Sequence, residues 1–282
     1  MANLEQKEKA EALRALHLGK EPLVLPNVWD VASARIVEDA GFPALATTSA
    51  GIAFAAGFPD GEKISAEQML AAVAQIASGV RIPVTADVEA GYGTKPEDAA
   101  RTARGVIEAG AVGMNFEDAS GNAERPLIDL PLQVQRIRAI RETCNELSIP
   151  LVLNARTDVY LLQVGDPVKR YDEALRRLRA FREAGADCVF LPGVRDAETI
   201  RRLVADVGCP VNLLAGPGSP SVAALAALGV KRISLGSGPM RSAMGLLRRL
   251  AAEIKTKGTY ASMEGAPSHA EMNALMKSNS EN

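Results

Sequence analysis

Two patterns alternate along the chain. Short apolar runs end in polar or glycine residues, and each gives way to a longer stretch with apolar positions at helical spacing. The apolar runs cover 23–27, 44–49, 83–89, 113–118, 151–157, 188–192, 211–215 and 232–236. The helical stretches cover about 30–40, 65–79, 96–109, 131–147, 167–184, 196–206, 219–228 and 239–256. Eight strands in strict alternation with eight helices imply parallel strands joined by crossovers. At this length the pattern predicts an α/β fold, a (β/α)8 TIM-type barrel. A doubly wound open sheet is the alternative, but no GxGxxG follows the first strand and no P-loop lysine motif occurs.

Boundary residues agree with this division. Ser65 precedes a helix with Glu67 and Gln68 in its first turn. Pro96, Pro131 and Pro167 fit first-turn positions, and Gly110, Gly185 and Gly229 fit left-handed C-caps. Two further helices lie outside the alternation. One is the charged amphipathic N-terminal stretch, and the other is a short arm at 268–277 after Gly258. The expected organisation is a barrel with its N-terminal helix over 1–257 and a helical arm with a flexible tail over 258–282. The barrel does not need the arm, which either packs on its own barrel or reaches a neighbouring subunit. Residues 278–282 are expected to be disordered.

Composition narrows the function classes. Hydrophobic residues make up 47% and charged residues 23%, as in soluble globular proteins. Aromatics are only 4%, so Ala, Val, Leu and Ile must build the core. A formal net charge of -2 argues against a nucleic-acid partner or a polybasic membrane patch. No apolar run has membrane length and no signal peptide is visible, so a cytoplasmic location is expected. Cys144, Cys188 and Cys209 have no metal-type spacing.

In a barrel of this kind the chemistry sits at the C-terminal ends of the strands. The third strand ends in Asp87-Val-Glu89-Ala-Gly91-Tyr92-Gly93, with two acids two residues apart and therefore on one side of a strand. Alone, this pair fits either a Mg²⁺ site or a solvated strand end. Other strand ends decide between these. Strand four ends in Asn115-Phe116-Glu117-Asp118 and strand five in Asn154-Ala155-Arg156-Thr157-Asp158, while Asp60 lies in the loop after strand two. Several acids thus converge on one mouth with a single arginine, and a cation would relieve their repulsion. Asp87 is expected as the direct Mg²⁺ ligand, with Mn²⁺ the alternative cation. Asp60, Glu89 and Glu117 are expected to hold metal-bound waters. Arg156 is placed to face negative charge developing on a substrate oxygen. The small-residue turn Ser49-Ala50-Gly51 offers backbone N–H groups to a carboxylate or phosphonate. Asn212 on strand seven completes the expected substrate-binding set. His17 and His269 lie away from strand ends and are expected to be structural or solvent-facing, which excludes a triad hydrolase of the usual type. Ser219 and Ser237 fit either a phosphate site or helix caps. The Arg176–Arg179 cluster is expected to be a solvated helix face.

Taken together, Thr48-Ser49-Ala50-Gly51, Gly57-Phe58-Pro59-Asp60, Ala86–Gly93, Asn115–Asp118, Asn154–Asp158 and Met240-Arg241 make the chain resemble the isocitrate lyase/phosphoenolpyruvate mutase superfamily. The resemblance covers nearly the whole barrel. It implies a Mg²⁺-dependent enzyme that makes or binds a 2-oxo acid and breaks a C–C or P–C bond beside a pyruvate-type enolate. It also implies that Trp29 lines the pocket, that the substrate is a 2-oxo acid or a di- or tricarboxylate, and that the protein is a homotetramer, a dimer of dimers with swapped C-terminal helices. Two departures matter. The loop after strand four reads Asp118-Ala-Ser-Gly-Asn-Ala-Glu124-Arg125, without the cysteine and histidine of the superfamily's lyases or the lysine of its phosphonate branch. After strand seven the chain reads Asn212-Leu-Leu-Ala215, without the acid found in methylisocitrate-type lyases. Glu124 is the candidate acid/base in place of the cysteine, and the alternative is a solvated loop acid. The leading expectation is a C–C lyase of isocitrate or 2-methylisocitrate type. The alternatives are oxaloacetate decarboxylation, phosphonopyruvate or phosphoenolpyruvate mutase-type P–C chemistry, and a barrel that binds 2-oxo acids without turnover.

Overall fold

The computed structural model describes residues 2–277. The tail at 278–282, expected to be disordered, lies outside them. Among the described residues nine parallel strand segments form one sheet; numbered along the chain, the first is followed in it by the ninth and then by the others in descending order to the second. The two ends of that order, β1 (Leu23–Leu25) and β2 (Asn27–Val28), are neighbours in the chain. The sheet therefore closes into the expected barrel. The first predicted strand is split because Pro26 has no N–H to give the ladder. As a result β1 pairs with β9 (Arg232–Ser234), and β2 pairs with β3 (Leu45–Thr47). Asn27 sews the seam: its Nδ2 donates to Thr47 O at 2.8 Å, and its Oδ1 accepts from Leu235 and Gly236 N–H at 2.7 and 2.9 Å.

The remaining strands are β4 (Val84–Asp87), β5 (Gly113–Glu117), β6 (Val152–Arg156), β7 (Cys188–Phe190) and β8 (Val211–Leu214). Among the helices, α2 (Val31–Asp39), α4 (Ala66–Gly79), α5 (Pro96–Glu108), α6 (Leu130–Glu146), α7 (Arg170–Glu183), α8 (Ala197–Val207), α9 (Val222–Ala227) and α10 (Gly238–Lys257) match the predicted stretches. Ser65 caps α4 in a full capping box, and Pro96 and Pro131 sit in first turns. Pro167 does not, because α7 begins three residues later. The turn expected at Ser49–Gly51 is instead the start of a helix, α3 (Ser49–Ala55), capped by the Thr48 side chain.

The N-terminal helix α1 (Ala2–His17) closes the bottom of the barrel. Leu13 and His17 are buried, and a Cβ on Gly113 would meet Leu13 Cδ2 at 2.9 Å, so glycine there lets the helix dock. His17 is structural, as one of its two expected roles held, and it is not solvent-facing. Its Nδ1 pairs with Leu13 O, its Nε2 lies 3.4 Å from Arg232 Nη1, and burial pushes its pKa down to about 4. At the other end of the chain the arm helix α11 (His269–Lys277) lies on its own α2 with no buried residue, leaving a groove of about 810 Å³ between them. No helix among the described residues is long and apolar enough to cross a membrane.

Candidate active site

Asp87 ends β4 at the barrel mouth and is held by three neighbours. Its Oδ2 accepts from Ser49 N–H at 3.0 Å and from Ser49 Oγ at 2.9 Å, and Asn115 Nδ2 lies 3.4 Å from its Oδ1. Its own N–H donates to Thr47 Oγ1 at 2.8 Å. Below it runs a buried polar column: Asn115 Oδ1 accepts from Asn154 Nδ2 at 2.6 Å and from Arg232 Nη2 at 3.2 Å, and Arg232 reaches His17. The Ser49 N–H, expected to meet an oxo acid, is thus committed to Asp87. Gly51 N–H is taken by the Thr48 cap. Gly51 has no room for a side chain, since a Cβ would stand 2.5 Å from Thr48 and 3.1 Å from Trp29. That contact also puts Trp29 against the turn.

Glu89 reaches the same mouth by another route than the strand spacing suggests. β4 stops at Asp87, and Glu89 sits in a turn at φ +51°. Its Oε2 accepts from Glu62 N–H at 2.5 Å, while its Oε1 is buried without a partner. Burial, opposed by that hydrogen bond and reinforced by the charges of Asp87, Asp60 and Glu62, pushes its pKa up to about 7. Glu62 in turn accepts from Tyr92 N–H at 2.7 Å. Asp60, on the exposed loop before α4, is also shifted up, by partial burial and by Asp87.

Glu117 and Arg156 stand on adjacent strands in register and pair at 2.8 Å. Arg156 also grips Asp158 through two bonds of 2.6 and 2.9 Å and lies over the Phe190 ring at 5.6 Å. Burial raises the Glu117 pKa against the pull of Arg156. Asp118 does not join the mouth. Successive strand residues face opposite sides, so where Glu117 points in, Asp118 points out to α7. There it accepts from Thr157 Oγ1 at 2.7 Å and pairs with Arg177 at 3.0 Å, both partners being buried. Arg177 is therefore no part of a solvated face, as its cluster was expected to be. Asn212 is wholly buried and exchanges hydrogen bonds with Ser234. Glu124 is exposed in the loop after β5, with its N–H on Asn122 Oδ1 at 2.8 Å. That loop is tied on itself by an Ala119–Leu127 bridge and by Ser120 N–H on Pro126 O. Ser219 accepts from Gly216 N–H, a turn contact.

The profile of phosphoenolpyruvate phosphomutase matches residues 13–255. The chain belongs to this family. Its likenesses extend across the isocitrate lyase/phosphoenolpyruvate mutase superfamily. A crystal structure from Burkholderia cenocepacia J2315 is 41% identical, with a TM-score of 0.90 and 96% of both chains covered. Oxaloacetate decarboxylase of Chromohalobacter salexigens is 31% identical over 82% of this chain and 80% of its own. Phosphonopyruvate hydrolase, solved with oxalate and Mg²⁺, is 26% identical with a TM-score of 0.81, covering 95% of this chain and 94% of its own. Superfamily members are lyases and mutases, and Mg²⁺ serves in this superfamily.

Among the described residues no three His, Cys, Asp or Glu side chains stand together at direct metal-ligand spacing. The set nevertheless suits Mg²⁺, which takes one or two carboxylates directly and the rest through water. The buried Glu89 Oε1 has no protein partner and is free for a cation-bound water, and Asp60, Glu89 and Glu117 all stand close enough to Asp87 to feel its charge. Sequence reasoning missed Glu62, whose signal was only an acid two residues past Asp60. It also left Asp158 out of the site, although that residue stands two positions from Arg156, on the same side by strand spacing.

Proposed function

We propose that the protein is a Mg²⁺-dependent lyase acting on a 2-oxo-acid-related substrate, through a pyruvate-type enolate. The observation that carries this reading is the convergence of Asp87, Glu89, Asp60 and Glu117 on one mouth, with a buried Glu89 oxygen unpartnered. Asp87 is the direct ligand, and Asp60, Glu89 and Glu117 hold the water shell. When bound, the cation supplies positive charge against an oxygen that gains negative charge in the reaction.

The chain's own residues do the rest. Ser49 and Asn115 fix both Asp87 oxygens, so the ligand is aimed before the cation arrives. Glu117 and Asp158 hold the Arg156 guanidinium rigidly at the rim, where its charge opposes a developing oxyanion. Ala50 N–H, Gly51 and Trp29 form the wall against which the oxo acid lies, and Phe190 excludes water beneath Arg156.

One observation favours a second reading, oxaloacetate decarboxylation. The loop after β5 carries no cysteine, histidine or lysine, and its candidate acid, Glu124, is exposed. Decarboxylation needs the cation and the enolate cradle but no loop acid. We also propose that the chain is a homo-oligomer, a dimer of dimers. Support comes from the loose seat of α11 on α2 and from Met244, Leu246, Leu247 and Ile254 exposed on α10.

The test is release of 2-oxo acid from isocitrate, 2-methylisocitrate, oxaloacetate and phosphonopyruvate with Mg²⁺, with Asp87→Ala as control. Product from a tricarboxylate, lost in the variant, is the expected result, and Glu124→Gln then asks whether the loop acid takes part. Product from oxaloacetate alone favours the second reading, and product from phosphonopyruvate alone moves the chain to P–C chemistry. Thermal stabilisation by oxalate without turnover of any substrate would leave a binding protein and overturn the enzymatic reading.

A further inference from the structure

Four of the five residues in Glu89–Gly93 have positive φ: Glu89 +51°, Gly91 +89°, Tyr92 +54° and Gly93 +157°. Such a loop keeps its shape only if its surroundings determine it. Four of its five carbonyls accept hydrogen bonds. Glu89 O accepts from Glu117 N–H at 3.0 Å, and Gly91 O accepts from Thr102 Oγ1 at 2.8 Å. Ala90 O and Gly93 O both accept from one donor, Nη2 of Arg136 on α6, the second at 2.7 Å.

Arg136 is wholly buried, and among the described residues no carboxylate lies within ion-pair distance of it. A buried guanidinium without a carboxylate is costly and needs strong acceptors. Here they are backbone carbonyls, the Phe116 ring at 4.7 Å and Gln133 Oε1 at 2.9 Å. Gln133, one turn earlier on α6, passes the contact on: its Nε2 donates to Glu117 O at 3.0 Å. A Cβ on Gly91 would meet Phe116 at 2.6 Å, so the loop is pressed onto the arginine's own platform.

We propose that Arg136 is a positioning residue for the acid cluster. It clamps the Glu89–Gly93 loop by two carbonyls and the end of β5 through Gln133, so that Glu89 and Glu117 keep a fixed separation across the mouth. The inference rests on the reading of that mouth as a cation site. Lysine could not replace arginine, because a single ammonium lacks the planar fork that serves loop, ring and Gln133 at once.

The test uses full-length Arg136→Lys, with Gln133→Leu as a second variant that leaves the guanidinium in place. Mn²⁺ affinity is measured by electron paramagnetic resonance, and amide hydrogen exchange is measured without metal. The expected result is Mn²⁺ binding weaker by about 10- to 100-fold in Arg136→Lys, the range typical of residues that orient ligands. Exchange protection should fall at Gly91, Tyr92 and Glu117, with the rest of the barrel unchanged. Gln133→Leu should weaken binding less and lose protection at Glu117 before Gly91. Unchanged protection of the loop would overturn the inference, as would lost protection with unchanged Mn²⁺ affinity. Loss of protection throughout the barrel would reduce Arg136 to a general stability residue and overturn it too. Wild-type protein that binds no Mn²⁺ would overturn the cation reading itself, a result separate from the other three.

Discussion

Ser49 meets Asp87 twice, once through its N–H and once through its hydroxyl. Removing the hydroxyl leaves the backbone contact, so Ser49→Ala should fold normally and bind Mn²⁺ about tenfold more weakly, as measured by titration calorimetry. Glu89 gives a pH signature. Its folded pKa near 7 lies above the ordinary carboxyl value, so the fold binds its proton more tightly than the unfolded chain. Its contribution is complete below about pH 4.5 and is lost as pH rises through about 7. His17 acts in the opposite sense: with its pKa down to about 4, its contribution is present above 6.5 and lost as pH falls toward 4. Thermal melts of metal-free wild type and Glu89→Gln isolate the first effect. The difference in midpoint should shift steadily in favour of the variant between pH 4.5 and 7, and a pH-independent difference would refute the assignment. The acids themselves were legible because strand ends announce them. Their partners were not. Asp118 and Arg177 meet across 59 positions, and no local pattern tells an acid bound for the mouth from one that turns outward. The period-2 rule applied to Glu117 would have separated them. Asp118→Ala should cost about 3–5 kcal/mol in urea denaturation, the usual penalty for stripping one partner from a buried pair.

Among elements, the eight strands and most helices could be read because each has a long periodic run and a recognisable cap. The exceptions share a cause. α3 is short and built from Ser, Ala and Gly with Ile52 and Phe54, so no helical contrast marks it; only the Thr48 cap does. β1 and β2 read as one strand because their side chains form one apolar run, and the break lies in a missing backbone donor at Pro26. The loop after β4 could be recognised as glycine-rich, but its shape is imposed by α6, more than forty residues away in the chain. Gly91→Ala adds a methyl against Phe116 at a left-handed φ. It should destabilise the protein by about 1–3 kcal/mol, read from the urea midpoint at unchanged slope.

At the scale of the whole molecule, the exposed apolar residues of α10 lie together along one helix. Scattered apolar side chains need no explanation, but several on one helix support the proposed assembly. Sedimentation equilibrium should give a mass of four chains. Leu247→Glu should lower it without loss of helical signal in circular dichroism, and a wild-type monomer would refute the assembly. The barrel's closure bears on how the protein is made. Within the barrel, β1 is made first and finds its partner only in β9, with Leu23 opposite Arg232. Until β9 is made, that nascent strand offers an unsatisfied edge, a hazard other proteins confine to short or charged segments. Here β1 is three residues long and bounded by Pro26, so the seam that completes the ring also limits what a half-synthesised copy can bind.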